Sequence, residues 1–147
     1  KVVDFVGPYY NTRRGIFALP DNKVKSVDDL KDAKVGVTLG ETHDQWTREQ
    51  GYDVRTYKGL PELLMELENG RVDAIVNDDI PVMIAIKEGQ TKAVEIDYPE
   101  AETFAAGIAI RKDNPALAAE MQKALDSMME DGTYLAIANE WVGGDIR

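Results

Sequence analysis

The sequence predicts an α/β fold with a mostly parallel sheet, followed by a helical C-terminal tail. Between about residues 14 and 111, short apolar runs typical of strands alternate with segments of helical periodicity. The clearest unit is the leucine-rich segment 60–69, whose leucines follow the i, i+3, i+4, i+7 spacing of one helical face. Gly70 ends this predicted helix, and the apolar run 72–76 follows as a buried strand. In such sheets, ligands bind at the carboxyl ends of the strands.

The composition is that of a globular protein with an acidic surface. The chain has 147 residues, of which 44% are hydrophobic, and this is enough for a core. Its apolar runs are too short to span a bilayer, and the N-terminus lacks the features of a signal peptide. The formal net charge of −10 argues against nucleic acid as a partner, since nucleic-acid binding requires clustered Lys and Arg. The absence of cysteine excludes disulfides and thiolate ligands, and we expect neither a cofactor nor a metal site.

The N-terminal residues predict two strands joined by a polar connection. Lys1–Val6 alternates and is rich in Val and Phe, which predicts a strand that Gly7-Pro8 ends. Residues 9–14 form the connection, and Gly15–Leu19 is the second strand. Because the first strand begins at the first residue, we expect that upstream chain is missing, since domains usually begin with a few solvated residues.

The next elements alternate between helix and strand. Ser26 is a predicted N-cap, with Asp29 in a capping box that opens a short helix. Lys34–Leu39 is a predicted strand, and a turn at residues 40–44 leads into a helix that ends near Gln50. Backbone N–H groups at such a strand-to-helix turn attract anions.

The remaining elements complete the predicted sheet and add the tail. Pro81 lies in the first turn of a predicted helix, where the missing N–H has no helical acceptor anyway. The further predicted strands are Val54–Tyr57, Val94–Ile96 and Phe104–Arg111. The further predicted helices are Ile80–Glu88, one from Asn114-Pro115 to Asp131-Gly132, and one that carries Tyr134, Ile137 and Trp141 and ends at Gly143-Gly144.

Five sequence motifs occur in an order and spacing shared with a known family. They are Val3–Tyr10, Asp29–Val37, Gly70–Ala74, Gly107–Lys112 and Asp131–Tyr134. With these motifs the chain resembles the extracellular solute-binding proteins of polar amino-acid ABC transporters, which have the type II periplasmic binding protein fold. The resemblance covers nearly the whole chain but only the later part of a family member.

The resemblance implies a division into lobes. Family members have two lobes joined by two crossing strands, with the ligand held between the lobes. By this resemblance, residues 9–105 are the second lobe, a three-layer α/β sandwich, and residues 1–8 and 106–112 are antiparallel hinge strands. Residues 113–147 are then C-terminal helices that belong with the first lobe. Most of the first lobe is expected to be missing, including the family's arginine that pairs with the ligand α-carboxylate.

The tail helices carry an apolar face for which the chain offers no predicted cover. The face consists of Leu117, Met121, Leu125, Met128 and Trp141. By the resemblance, such helices lie against first-lobe strands, and an exposed apolar patch of this size favours association. We therefore expect the chain to pair with the missing first lobe or with a second copy, in a dimer that could form by domain swapping.

By the resemblance, Asp78 matches the family aspartate that accepts the ligand α-amino group. A carboxylate at the end of a strand is suited to charge-assisted hydrogen bonds with such a group. The alternative is that Asp78 or Asp79 only caps the following helix, and for Asp79 capping is the prediction.

The turn that follows Gly40 supplies the second group of predicted ligand contacts. Thr42 matches the family residue whose hydroxyl and backbone N–H bind the ligand carboxylate, and it is also the predicted N-cap of the next helix. Glu41 departs from the family's Ser or Thr, so either it faces solvent, which we expect, or the ligand carries a further cationic group. His43 could contact the ligand, although an exposed position at the helix start is the prediction, and no metal ligands cluster around it.

Tyr10 is a further candidate for a ligand contact, just past the first predicted strand. The same segment contains three more candidates, Tyr9, Arg13 and Arg14. These side chains could line the cleft or lie on an interlobe surface, and both alternatives stay open. Trp46 and the run Val54–Tyr57 are similar to cystine-binding members of the family, although Trp46 is equally consistent with helix packing.

The resemblance implies capture of a polar, cystine-like or cationic amino acid for an ABC importer, in which ligand closes the lobes and the closed form docks on a membrane permease. The protein is then periplasmic or extracellular, with a membrane-associated lipoprotein as one form. An enzyme on this fold, such as a cyclohexadienyl dehydratase, would need an acid or base in the cleft, for which Glu41, His43 and Asp44 are the candidates. The turn lacks the Gly-Thr-Asn-Glu pattern of the dehydratases, so binding without catalysis is the prediction. The third alternative is a sensor domain of a receptor.

Overall fold

A computed structural model describes residues 3–147, so the prediction for Lys1 and Val2 lies outside the described residues. Across the described residues the strands are β1 (Val3–Ala18), β2 (Lys34–Thr38), β3 (Asp53–Tyr57), β4 (Ala74–Asp78), β5 (Val94–Glu95) and β6 (Thr103–Arg111). The α-helices are α1 (Thr42–Glu49), α2 (Leu60–Glu68), α3 (Asp79–Lys87), α4 (Pro115–Glu130) and α5 (Thr133–Trp141), and Val27–Asp32 forms a 3-10 helix.

These elements divide into two compact units. Residues Arg13–Glu102 form what we call the central unit. The chain up to Thr12, together with Thr103–Arg147, forms what we call the terminal unit. The assignment of these units to the lobes and hinge strands of a binding protein stays a prediction.

The central unit is built on a mixed sheet with the strand order β3-β2-β4-β1-β5. β2 runs parallel to both of its neighbours, with Val35 opposite Val54 of β3 and opposite Ala74 of β4. β1 is antiparallel to β4, where Arg14 pairs with Asp78, and it is also antiparallel to β5. The predicted α/β class is confirmed, and the sheet is mixed rather than mostly parallel: β3, β2 and β4 pair in parallel, whereas β1 is antiparallel to β4 and β5.

Apolar side chains cover both faces of this sheet. Ile16 and Val76 belong to one buried cluster with Leu30 of the 3-10 helix, whereas Phe17 and Ile75 belong to a second cluster with residues of α2 and α3. Successive residues of a strand point to opposite faces, so a strand that is covered on both sides needs a continuous apolar run. The run predicted as a buried strand has this property, and the central unit is accordingly layered helix, sheet, helix.

β1 corrects the prediction for the N-terminal residues. One strand runs from Val3 to Ala18, so Gly7-Pro8 does not end it, and residues 9–14 are strand rather than a connection. The reason is long-range pairing, which local turn signals do not reveal. β1 pairs with β6, and its last part, from Arg14 onward, pairs with β4 and β5. The Gly7 N–H also has a partner, the Oε1 atom of Gln122 at 3.0 Å.

Two local capping predictions are confirmed. Ser26 and Asp29 form a capping box, in which Asp29 Oδ2 accepts the backbone N–H of Ser26 at 2.8 Å. Gly70 follows α2 with φ of +69°, a left-handed conformation that glycine adopts without strain.

The terminal unit combines the first part of β1 with β6, α4 and α5. Asn114 Oδ1 accepts the Leu117 N–H at 3.2 Å, which confirms the predicted cap of α4. α4 has no buried residue among those described. An apolar cavity of about 400 Å³ lies in this unit, and its lining includes Tyr10, Leu125, Met128, Tyr134, Ile137 and Trp141. No helix formed by residues 3–147 combines the length and the apolar character needed to cross a membrane.

Candidate ligand-binding site

Asp78 is the last residue of β4, and 49% of its side chain is exposed. Its Oδ1 atom lies 3.0 Å from Nε2 of His43. Within residues 3–147, no hydrogen bond to the second oxygen, Oδ2, is formed. The protein thus holds one carboxylate oxygen of Asp78 and leaves the other accessible.

His43, the second residue of α1, is only 2% exposed. Its Nδ1 atom accepts a hydrogen bond from Nε of Arg14 at 3.3 Å, and an arginine can only donate. Nδ1 therefore carries no proton in this arrangement, and Nε2 carries the proton that is donated to Asp78. The prediction of an exposed histidine is wrong, because both ring nitrogens are bonded to residues of the sheet.

Arg14 is a buried cation, at 5% exposure. Its Nη2 atom lies 3.3 Å from Oε2 of Glu102, and its guanidinium carbon lies 4.7 Å from the centroid of the Trp46 ring. These contacts and the bond to His43 offset the cost of burying a charge. An interlobe surface position for Arg14 is therefore wrong. Glu102 was not predicted to belong to the site. No local sequence pattern indicates its contact with Arg14, because 88 residues separate the two.

Trp46 has the packing role that was one of its two alternatives. Its ring lies 5.9 Å from the Tyr52 ring and 6.0 Å from the Tyr98 ring, measured between centroids. The aromatic group packs against the core cluster of the central unit and forms a support for the Arg14 guanidinium.

The turn before α1 is held by Asp44. Gly40 has φ of +78° and donates its backbone N–H to Asp44 Oδ2 at 3.1 Å. Asp44 Oδ1 accepts a hydrogen bond from Arg48 Nε at 2.6 Å. The Gly40 N–H and, after it, the Arg48 guanidinium lower the pKa of Asp44 below its ordinary value, and burial only partly opposes them. The N–H of Gly40, a predicted ligand contact, is therefore engaged within the protein.

α1 begins at Thr42, with Glu41 in the N-cap position. The prediction of Thr42 as the N-cap is wrong by one residue, because Glu41 is the residue with the extended backbone. Both side chains are exposed, which agrees with the expectation that Glu41 faces solvent. Among the described residues, nothing accepts the backbone N–H of Thr42 or of His43. Such groups at a helix start are suited to binding an anion.

Asp79 is the first residue of α3, and Asp78 occupies the N-cap position without a side-chain capping bond. Asp79 is therefore not the N-cap residue, although its Oδ1 atom accepts the backbone N–H of Ile80 in the first turn of α3 at 2.8 Å. The same Oδ1 atom also accepts the backbone N–H of Arg13 at 3.1 Å, and Oδ2 lies 3.4 Å from Arg13 Nε. Arg13 Nη2 also lies 2.6 Å from Oε1 of Glu95. Burial raises the pKa of the Glu95 carboxyl, and the nearby Arg13 charge partly opposes this shift. Asp79 therefore joins α3 to β1.

Tyr10 belongs to the terminal unit. Its ring packs edge-on against Tyr9, with 4.7 Å between the ring centroids, and it contributes to the apolar cavity there. Of the predicted site residues, the structure thus brings Gly40, Glu41, Thr42, His43 and Asp78 together within the central unit. The site role of Tyr10 stays a prediction.

The chain is similar to binding proteins of known name. It is 38% identical over 156 residues to the L-cystine-binding protein TcyJ of Escherichia coli (strain K12), an alignment that covers 99% of this chain and 56% of TcyJ. Its fold matches that of the L-cystine solute receptor of Neisseria gonorrhoeae in the unliganded open conformation, with a TM-score of 0.83 at 24% identity, covering 99% of this chain and 62% of that one. It also matches the ancestral amino acid-binding protein AncCDT-1, a precursor of cyclohexadienyl dehydratase, with a TM-score of 0.74 at 33% identity. This match covers 96% of this chain and 62% of AncCDT-1.

The chain therefore spans little more than half the length of TcyJ. One family model nevertheless matches residues 1–144, which is almost the whole chain. The match confirms the resemblance stated from the five sequence motifs, and the mixed α/β fold agrees with it. This protein belongs to the bacterial extracellular solute-binding proteins, family 3.

Proposed function

We propose that the central unit forms part of an amino-acid-binding site in a protein that captures its ligand for an ABC importer. The observation that carries this proposal is the position of His43, whose backbone lies in the first turn of α1 while its ring bonds to Asp78. One residue thus joins a helix N-terminus to a half-exposed carboxylate. An α-amino acid carries a carboxylate and an ammonium group on the same carbon, so these two protein groups match both of its charges.

Asp78 is the acceptor for the ammonium group. Its accessible Oδ2 atom can accept a charge-assisted hydrogen bond, while Oδ1 is held by His43. The position at the carboxyl end of a parallel strand is the usual location of ligand groups in α/β sheets.

The first turn of α1 receives the carboxylate. Its donors are the Thr42 hydroxyl and the backbone N–H groups of Thr42 and His43, which have no acceptor among residues 3–147. Asp44 lies in the same turn, but Arg48 and the Gly40 N–H offset its negative charge. Glu41 is exposed, and a solvent-facing carboxylate repels a ligand carboxylate less than one directed inward.

We propose a polar amino acid as the ligand, with L-cystine as the first candidate because TcyJ, at 38% identity, is an L-cystine-binding protein. The importer role places the protein outside the cytoplasm, in agreement with the extracellular family to which it belongs. The partner in transport is then an ABC permease.

Calorimetric titration with the twenty amino acids and L-cystine tests this function. The titration uses both the 147-residue chain and the polypeptide that its gene encodes in full. A binder releases or absorbs heat on titration and is stabilised by RT ln(1 + [L]/Kd), and the amino acid is recovered unchanged. If the full polypeptide bound none of these compounds, the proposal would be wrong.

A dehydratase is the second candidate, favoured by the match to AncCDT-1. The relatives described above are binding proteins, and two of the three acid or base candidates are engaged within the central unit, whereas Glu41 is exposed. His43 is buried with both ring nitrogens bonded, and Asp44 is bonded to Gly40 and Arg48. Incubation of the full polypeptide with prephenate or arogenate separates the two functions, because only an enzyme forms product.

A further inference from the structure

We propose that Arg14 and His43 are positioning residues that orient the Asp78 carboxylate, so that Oδ2 rather than Oδ1 receives the ammonium group of the ligand. This proposal rests on the function proposed above. We call the bonded series Glu102, Arg14, His43 and Asp78 the hydrogen-bond relay. Every member lies in the central unit.

The relay has a fixed direction of donation. Arg14 Nε has only a proton to offer, so His43 Nδ1 must accept, and a neutral imidazole then has its proton on Nε2. Nε2 then donates that proton to Asp78 Oδ1, which lies 3.0 Å from Nε2. With the proton on Nδ1 instead, two donors would face each other at Arg14 and no donor would face Asp78. Arg14 therefore selects the tautomer that holds Asp78.

The position of Arg14 is itself well determined. Its backbone pairs with Asp78 across the β1–β4 ladder, and its backbone N–H bonds to the Glu102 carbonyl oxygen at 3.1 Å. Its guanidinium lies over Trp46 and bonds to the Glu102 carboxylate. A side chain held at both ends keeps the His43 ring in one orientation.

His43 cannot itself act as a ligand contact through its ring. The residue is 2% exposed and both nitrogens are bonded, whereas 49% of the Asp78 side chain is exposed. The effect of His43 on a ligand must therefore pass through Asp78. This distinguishes the proposal from the ligand contact that the sequence suggested for His43.

Nitrogen-15 NMR of the histidine ring gives a readout that a merely structural role would not change. His43 is the only histidine in the sequence, so its ring signals need no assignment against others. We expect a protonated Nε2 and an acceptor Nδ1 in the wild-type chain. Arg14→Gln should produce a mixture of both tautomers, whereas Asp97→Asn, at an exposed position outside the relay, should leave the spectrum unchanged.

Amino-acid affinity provides the second readout, on the full polypeptide. Arg14→Gln and His43→Phe should each weaken binding at least about tenfold, the loss expected for one misplaced charge-assisted bond. His43→Gln keeps a donor near Asp78 and should recover most of the affinity. Thermal unfolding of each variant separates loss of the fold from loss of position.

The outcomes are distinct. An Nδ1-protonated ring in the wild type, or a ring tautomer that does not change in Arg14→Gln, overturns the relay. So does wild-type affinity in the folded His43→Phe variant. If the wild-type polypeptide binds no amino acid, the proposed function is wrong. The hydrogen-bond relay is then tested only by the ring tautomer of His43 in the NMR spectrum.

Discussion

Nε2 of His43 lies 3.0 Å from Oδ1 of Asp78, although 35 residues separate them in the sequence. The contact follows from the parallel pairing of β2 with β4, which places the carboxyl ends of both strands at one edge of the sheet. α1 starts four residues after β2 ends at Thr38, and Asp78 ends β4. The candidate site is thus a product of strand order and not of a local motif.

Asp78→Asn should weaken amino-acid binding at least about tenfold, because the neutral amide loses a charge-assisted bond to an ammonium group. Titration calorimetry on the full polypeptide measures the change. Asp97→Asn removes the same charge from an exposed position and serves as the control. Equal affinity in the Asp78 variant and the wild type would remove Asp78 from the site.

Asp44 should contribute stability that depends on pH. Its pKa is lowered in the folded state, so its contribution is present above the unfolded value of 3.8 and is lost as pH falls through the lower folded value. Urea unfolding between pH 7 and pH 3 should show Asp44→Asn less stable than wild type by roughly 1–2 kcal/mol at pH 7. The difference should shrink below about pH 4. A constant difference across this range would contradict the assignment.

Leu63 and Met65 lie in the same helix, α2, but differ in burial. Leu63 is fully buried, and Leu63→Ala should lower the free energy of unfolding by about 2–5 kcal/mol, because it removes core contacts and leaves a cavity. Met65 is 53% exposed, and Met65→Ala should change stability far less. Denaturant unfolding of both variants measures the contrast, and similar losses would mean that α2 packs through another face.

The terminal unit should make the 147-residue chain associate with itself. Its apolar cavity borders Trp141, which is 66% exposed, and in a pure sample the available cover is a second copy. Light scattering across a concentration series should give a mass above that of the monomer, and Trp141→Ser should lower it. Leu39→Ser changes an equally exposed apolar residue of the central unit and should have no such effect. A monomeric wild type at every concentration would refute this prediction.

Most secondary-structure elements could be predicted because their causes are local. The leucine spacing of α2, the left-handed Gly70, the Ser26 capping box and the Asn114 cap all depend on residues a few positions apart. One exception is Gly7-Pro8, a local turn signal that pairing with distant strands overrides, and another is the cap of α1, which is Glu41 rather than Thr42.

The residues of the candidate site were named from the sequence, but their roles depend on packing. Nothing near His43 in the sequence indicates that Arg14 will bond to its ring, since that contact requires β1 to lie beside β4. The same antiparallel pairing brings the Arg13 backbone to Asp79, so a residue predicted only as a cap also links α3 to β1. Periodicity and capping thus suffice for the elements and the family, whereas burial and long-range hydrogen bonds determine what each polar side chain contacts. The physical reason is that desolvation and hydrogen bonding depend on distance in space, which the order of residues along the chain does not specify.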